Sequence, residues 1–210
     1  MFYPIWLLLL ALTCIEFFPV VAESFKNILS YQWLLYGMAA YFIIRRFNFF
    51  ARNEMWLQTT SHETTHALVG MMFLHKIHSL QANEDNGVVY HSGQKFGDLF
   101  ISLSPYCFPV LTYVLLFMRI MCANKMLYVF DILIGFTLAF YIVCFCKQTG
   151  LYQTDIQKQG YVRSFIFLFT AWFFNATIIL LSVKRGIIGA IKYIFPEYWG
   201  NLVDWWNFIF

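Results

Sequence analysis

Long, continuous apolar runs constrain the fold of this chain more than any other feature of its sequence. Six of them are rich in Leu, Ile, Phe and Val, at 3–22, 31–44, 55–75, 97–118, 126–146 and 162–183. A helix that crosses a bilayer needs about 20 mostly apolar residues, and most of these runs reach or approach that length. Hydrophobic residues make up 60% of the chain and charged residues only 12%, which is far from the balance of a soluble domain. The sequence therefore predicts an all-α polytopic membrane protein that is in contact with the lipid bilayer.

The order of the runs predicts a single membrane-embedded domain, 1–210, with about six transmembrane helices and a core at about 50–183. The first run ends in VVA, which resembles a signal-peptide cleavage site. It lacks a basic start, however, and contains Glu16, so an uncleaved span is favoured. The tail at 187–210 is rich in Trp and Phe, a composition typical of an interfacial segment. A small excess of Lys and Arg favours a cytoplasmic N-terminus, and the short loops with few lysines favour a bacterial inner membrane.

The charges and cysteines exclude other classes of protein. The formal charge of +3 is small and spread along the chain, so nothing indicates binding to nucleic acid. The 5 cysteines are odd in number, form no Cys-x-x-Cys pair and lie mostly in apolar runs. A cysteine in such a run acts as a small hydrophobic residue, so we expect neither a disulfide framework nor a redox site.

The segment QTTSHETTHALVG, at 58–70, places two histidines and a glutamate inside an apolar run. His62 and His66 are four positions apart, so on a helix their rings lie on one face, one turn apart. Two such imidazoles can bind one Zn²⁺, and Glu63 lies beside them, where it can take a proton from a metal-bound water. A pair of helix histidines bonded to neighbouring hydroxyls is the simpler alternative. Ionisable groups inside a membrane are costly, however, and indicate a functional site.

A catalytic zinc normally has three protein ligands, so a third must come from elsewhere in the chain. The downstream carboxylates considered as the third ligand are Glu84 in a polar insertion, Asp131 in the fifth apolar run and Asp155 before the sixth. Polar neighbours that can orient a ligand favour Asp155, whereas full membrane crossings by every run would favour Asp131. His75 and His78 end the same run as the motif, a position more typical of the interface. The residues alone leave both aspartates open.

The order of these features resembles the site-2 protease family of intramembrane zinc metallopeptidases. The shared features are an HExxH helix, a small β-like insertion at 76–96, an apolar helix and a distant aspartate. The resemblance covers about residues 50–180, and HExxH is the part that matches closely. The family's Asp-Gly motif is replaced by TDI at 154–156, and its small-residue or Asn-Pro segment by SPYCFP at 104–109. The chain is therefore similar to a divergent member of that family.

The resemblance implies a zinc metalloprotease that cleaves membrane-anchored polypeptides within or near the bilayer. The family takes its third ligand from an aspartate on a later core helix. That pattern indicates Asp155 beside His62 and His66, with Asp131 as the alternative. Glu63 would be the general base, and the insertion would present substrate as an extended chain.

Two other functions are compatible with the same residues. The chain could be a non-proteolytic membrane protein of the same fold. It could also be a transporter in which His62, Glu63 and His66 relay protons or bind a transported metal. Glu63 separates these functions from proteolysis, because hydrolysis needs a general base and a structural metal site does not.

Overall fold

The computed structural model of the protein describes residues 3–47, 53–83, 87–93 and 97–209. The chain is mostly helical, at 82%, with one two-stranded sheet. In these ranges the helices are α1 (Tyr3–Lys26), α2 (Gln32–Arg46), α3 (Glu54–Met72), α4 (Asp98–Cys107), α5 (Val110–Ile120), α6 (Leu127–Gln148), α7 (Thr154–Gln159) and α8 (Tyr161–Ile209). The strands are β1 (Lys76–Ala82) and β2 (Gly87–Ser92), and 3-10 turns at Ile28–Tyr31 and Asn124–Met126 precede α2 and α6.

Three helices in the described part of the chain are long and apolar enough to cross a membrane, over Ile5–Lys26, Asn124–Gln148 and Tyr161–Asn201. α4 and α5 would add a fourth if they formed one span, but they meet at an angle of 80°. The six predicted spans are therefore not confirmed. The mostly helical architecture and the small β insertion are confirmed, and three helices have the length and composition of membrane spans. α2 has 15 residues and is only about 22 Å long, and polar side chains run through the middle of α3. Neither helix has the length and composition of a full span.

α2 packs on α6 with the two backbones in direct contact. A Cβ atom at Gly37 would lie 1.9 Å from the carbonyl oxygen of Ile132, and one at Gly135 would lie 2.0 Å from that of Leu34. Small residues allow such close approach of helices in a membrane, where van der Waals packing drives their association. The two glycines therefore make the short α2 part of the core, although it is too short to span.

The two helices also run in the same direction. Trp33 near the start of α2 packs on Tyr128 near the start of α6, with ring centroids 5.4 Å apart. Further along, Tyr41 packs on Phe140, with centroids 6.2 Å apart. α2 and α6 therefore end on the same side of the molecule.

α1 and the first part of α8 are likewise parallel neighbours. Trp6 packs edge-on against Phe167 with ring centroids 5.3 Å apart. Glu23 pairs with Lys184, the same interval further along each helix. The two helices therefore stay in contact over most of the length of α1.

α8 is broken at Gly186, whose φ of 73° and ψ of 159° lie outside the helical region. Glycine adopts such a conformation at little cost because it has no Cβ atom. Beyond the break, Asn201 donates a hydrogen bond to the carboxylate of Glu16, which precedes Glu23 by two turns. In a straight helix Asn201 would lie about 25 Å past Lys184, well beyond the end of α1. The tail that the sequence predicts to be interfacial is thus a helical segment that folds back along α1.

The chain turns sharply between α4 and α5, at 108–109. Such a turn frees backbone carbonyl groups, and these need partners in apolar surroundings. The indole N–H of Trp172 donates to the carbonyl of Tyr106 at 2.7 Å, and the Asn175 amide donates to that of Cys107 at 3.0 Å. Two side chains of α8 thus stabilise the broken helix.

The insertion after α3 forms an antiparallel hairpin of β1 and β2. Its register runs from Lys76 opposite Ser92 to Ala82 opposite Gly87, with one irregularity near the open end. The small β insertion that the sequence predicts is confirmed. Both strands pack on α3, the helix that carries the HExxH motif.

Candidate metal centre

α3 places the two histidines of the motif on one face of the helix, as their spacing predicts. The Nε2 atoms of His62 and His66 are 3.2 Å apart, and the ring centroids are 4.9 Å apart. No proline or glycine interrupts this part of α3. The hydroxyl of Thr65 donates to the carbonyl of Ser61 one turn earlier, at 2.7 Å, so it needs no partner outside the helix.

α7, a short helix between α6 and α8, brings Asp155 to the histidines. Its Oδ2 atom lies 3.6 Å from the Nε2 atom of His66. One ligand atom from each of His62, His66 and Asp155 lies within 4.8 Å of the other two. Within the described ranges, no other group of three His, Cys, Asp or Glu residues is close enough to share a metal ion. The side chains of His66 and Asp155 are 13% and 21% exposed, so water can reach the cluster.

The surroundings of Asp155 keep its carboxyl group ionised. Burial would raise the pKa of Asp155, but the neighbouring His66 and His62 rings and the positive charge of Lys158 outweigh that effect. Together they hold this pKa below its usual range. The ionised carboxylate is the form that coordinates metals.

Asp155 reaches the motif because α3 begins where α6 ends. The Glu54 carboxylate at the start of α3 accepts a hydrogen bond from Lys147 at 3.3 Å, and His62 Nδ1 lies 3.3 Å from Gln148 Oε1. α7 follows α6 after a short loop, so it lies at the same end of α6 as the start of α3. Full crossings by every run would have separated Asp155 from α3. That separation does not arise, because α2 is too short to span and ends on the same side of the molecule as α6.

Both histidines have a hydrogen-bond acceptor beside Nδ1 and direct Nε2 into the cluster. His66 Nδ1 donates to the carbonyl of Ile101 at 2.7 Å, and His62 Nδ1 donates to the amide oxygen of Gln148 at 3.3 Å. These acceptors have no proton to give, so Nδ1 carries the hydrogen in each ring. Metal-binding histidines usually have such a partner on the second nitrogen, because it sets the tautomer and the ring orientation.

The donor set fits a zinc ion. Two imidazole nitrogens and one carboxylate oxygen supply the three protein ligands that a catalytic zinc site uses. Zn–ligand bonds of about 2.0–2.1 Å in a tetrahedron place neighbouring ligand atoms about 3.3 Å apart. The separations of 3.2 Å between His62 and His66 and of 3.6 Å between His66 and Asp155 are close to that value. With both Nε2 atoms unprotonated, as metal binding requires, a shared cation would offset the repulsion of their lone pairs.

The alternative third ligand, Asp131, lies elsewhere and is not in the cluster. Arg119 donates to both of its carboxylate oxygens, at 2.9 and 3.4 Å. The same guanidinium also donates to the carbonyls of Ser182 and Val183, just before the break in α8. Asp131 therefore joins α5, α6 and α8 through an ion pair. Glu84 falls outside the described residues.

Glu63 is buried beside the histidines and is covered by the hairpin. Glu63 is 8% exposed, and it lies near His66 and Asp155. A Cβ atom on Gly87 would lie 2.5 Å from Glu63 Oε1. The first residue of β2 thus lies directly on the carboxylate of the expected general base.

Tyr106 is a member of the site that sequence reasoning missed. Its side chain is 1% exposed, and its ring packs edge-on against His62 with centroids 5.0 Å apart. Its hydroxyl lies 3.3 Å from Asp155 Oδ2 and 3.4 Å from Gln153 Oε1, and donates to these acceptors. The sequence signal for Tyr106 is its position three residues before Pro109, at a break in an apolar run. A polar side chain that is buried at such a break needs a hydrogen-bond partner there.

The remaining histidines belong to the hairpin and not to the cluster. His75 and His91 lie with their Nδ1 atoms 3.0 Å apart, and His78 lies 2.6 Å from the hydroxyl of Ser92. These contacts link the two strands to each other and to the end of α3.

Comparison of the chain with models of protein families, with curated proteins and with solved structures finds no match.

Proposed function

We propose that this protein is an intramembrane zinc metalloprotease of the site-2 protease kind, which hydrolyses peptide bonds of membrane-anchored polypeptides. The observation that carries the proposal is the convergence of His62, His66 and Asp155 from two separate helices to within 4.8 Å. The helices long enough to cross a bilayer support a substrate that is itself held in the membrane. We further propose the bacterial inner membrane as its location, from the short loops and the few lysines.

The metal would be held by His62, His66 and Asp155. Zinc in such a site lowers the pKa of a bound water to about 7 and polarises a carbonyl group. Ile101 and Gln148 hold the two rings in orientation through their Nδ1 hydrogens. The reaction also needs a proton acceptor and a means of holding the substrate. Other side chains and the hairpin would supply these.

Glu63 would carry the protons of the reaction. It follows His62 directly, is buried, and lies near His66 and Asp155. A carboxylate in that position accepts a proton from the attacking water and gives it to the leaving amine. Tyr106 would act as a positioning residue, because its hydroxyl donates to the oxygen of Asp155 that faces His66.

The hairpin would hold the substrate next to Glu63. β2 begins at Gly87, against the Glu63 carboxylate, so a peptide paired with the sheet would pass close to the general base. Main-chain pairing to a strand holds a peptide in extended form, which exposes its amide bonds to attack. Membrane-anchored substrates suit this arrangement, provided that their helix unwinds locally.

The experiment is to measure zinc content and proteolysis of the purified protein in detergent, with Glu63→Gln as the matched variant. We expect about one equivalent of zinc in both proteins, because Glu63 is not a ligand. Fluorescein-labelled casein, an unfolded chain that needs no unwinding, is expected to be cleaved by the wild type. The variant should lose at least about a hundredfold in rate, since it lacks the general base.

Three results would contradict the proposal. Folded wild-type protein that takes up no zinc, even after reconstitution with the metal, would leave HExxH as a packing motif. Equal cleavage by both proteins would indicate a contaminating protease. Zinc without cleavage would favour the non-proteolytic protein or the transporter, in which His62 and His66 bind metal for another purpose.

A further inference from the structure

A polar pocket of about 390 Å³ lies away from the metal centre, where α2 ends and α3 begins. Its walls are formed by Phe42, Arg45, Arg46 and Glu54. The pocket thus combines two guanidinium groups, one carboxylate and one aromatic ring. Neither the metal cluster nor the hairpin lines it.

The pocket has more positive than negative charge. Glu54 Oε1 is 3.0 Å from Arg45 Nε and 3.3 Å from Lys147 Nζ, so one carboxylate already pairs with two cations. Arg46 is exposed and lines the same pocket, and in the described part of the chain it forms no ion pair. The two arginines that line the pocket outnumber its one carboxylate, and Lys147 beside that carboxylate adds positive charge nearby, so the pocket can attract an anion.

The pocket lies at the end of a candidate span. Lys147 is next to the last residue of α6, and Arg46 is the last residue of α2, which ends on the same side. The apolar side chains beside it face outward: Phe42 is 45% exposed, Ile43 56% and Phe47 76%. A cationic pocket therefore borders an apolar surface at one end of a candidate span, which is where lipid headgroups would lie.

We propose that this pocket binds the headgroup of an anionic phospholipid. Its phosphate would bridge Arg46 and Arg45, because guanidinium groups bind phosphate oxygens with paired, charge-assisted hydrogen bonds. The acyl chains would lie along Phe42 and Ile43. A free phosphate ion would use the same cations but would gain nothing from these exposed side chains, which is why an amphiphile fits better.

Bound lipid would also hold the start of α3 in place. Glu54 is the first residue of α3 and precedes His62 by two turns, about 12 Å along the helix. Arg45 and Lys147 connect that residue to the ends of α2 and α6. An anion here would reduce the repulsion among the clustered cations, so we expect it to stabilise the whole protein, whether or not the chain is a protease.

The test is native mass spectrometry of the detergent-solubilised protein, titrated with dioleoyl-phosphatidylglycerol or dioleoyl-phosphatidylcholine. We expect the anionic lipid to bind at least tenfold more tightly. Arg46→Gln should weaken its binding about fivefold, the usual effect of one cation near a membrane surface. Lys192→Gln, which removes an exposed cation on the folded-back part of α8, is the matched control and should leave binding unchanged. Arg46 is exposed and forms no ion pair with the residues that the structure describes, so its variant should fold normally.

The proposal is overturned by equal affinity for the two lipids, or by equal loss in the Arg46 and Lys192 variants, which would mean non-specific attraction. Competition with sn-glycerol 3-phosphate distinguishes a site for lipid headgroups from a site for soluble phosphate compounds. Displacement of the lipid by this soluble headgroup at millimolar concentration would show a phosphate site, not a lipid site. No displacement, together with the loss in Arg46→Gln, supports the lipid.

Discussion

At the scale of single residues, the two aspartates considered as the third ligand, Asp131 and Asp155, have different partners. Asp155 lies 3.6 Å from His66 Nε2, and Tyr106 donates to the same oxygen. Asp131 is bound by Arg119 through both carboxylate oxygens. A carboxylate occupied in this way by a guanidinium is not free to coordinate a metal. Loss of Asp155 should therefore impair metal binding, whereas loss of Asp131 should impair stability.

We expect Asp155→Asn to lose zinc and Asp131→Asn to keep it. A ligand contributes more than its outer partners, whose loss typically costs 10–100-fold in metal affinity, so Asp155→Asn should exceed about a hundredfold. Asp131→Asn leaves the mostly buried Arg119 without its counter-charge. It should lower stability by about 3 kcal/mol and retain one equivalent of zinc. Zinc content and thermal unfolding in detergent measure the two effects. The opposite pattern, with zinc lost only in Asp131→Asn, would make Asp131 the ligand.

At the scale of elements, the hairpin and α3 form one unit around the general base. Glycine at 87 allows β2 to lie on the Glu63 carboxylate, because any larger residue would place a Cβ atom 2.4 Å from Glu63 Cγ. Neither the strand nor the helix can move without changing the position of the base. The contact therefore couples the expected substrate-binding element to the expected catalytic side chain.

Gly87→Ala should impair proteolysis and leave metal binding intact. The added methyl group must displace either β2 or the Glu63 carboxylate, and a shift of about 1 Å in a catalytic group can cost a hundredfold in rate. Zinc content should not change, since the atoms nearest to the added methyl group all belong to Glu63, which is not a ligand. Gly200→Ala is the matched control, because a Cβ atom there meets nothing within 4 Å. Full activity in Gly87→Ala would mean that the hairpin does not hold the base.

At the scale of the whole molecule, packing and not apolar length decides how many times the chain crosses. α8 contains 49 residues but bends back at Gly186, so its length is not a measure of its span. α4 and α5 share one apolar run, yet the break between them turns the chain by 80°. The result is three or at most four candidate spans in the described residues, where apolar length alone predicts six.

The folded-back part of α8 can be tested by crosslinking. In a cysteine-free background, Glu16→Cys with Asn201→Cys should be bridged by a short bis-methanethiosulfonate reagent, since the native side chains are hydrogen-bonded. Glu23→Cys with Lys184→Cys should react equally well. Glu16→Cys with Lys184→Cys should not, because the pair is offset by two turns. Intact-protein mass spectrometry distinguishes a bridge from two single adducts. A tail that lies apart in the interface would give no bridge to residue 16.

The sequence by itself determined the features that depend on near neighbours and on composition. The apolar content predicts a helical membrane protein, and an i, i+4 spacing places His62 and His66 on one helix face with Glu63 beside them, because helix geometry is local. The turn and strand pattern likewise predicts the β hairpin.

Only the tertiary structure decided how distant parts of the chain meet. It brings Asp155 and not Asp131 to the histidines, because the close α2–α6 packing puts the start of α3 at the end of α6. It also buries Tyr106 beside Asp155 and returns the tail to α1. These placements depend on backbone approach at Gly37 and on the break at Gly186. The energy of such contacts lies in long-range packing, which a linear pattern of apolar and polar residues does not record.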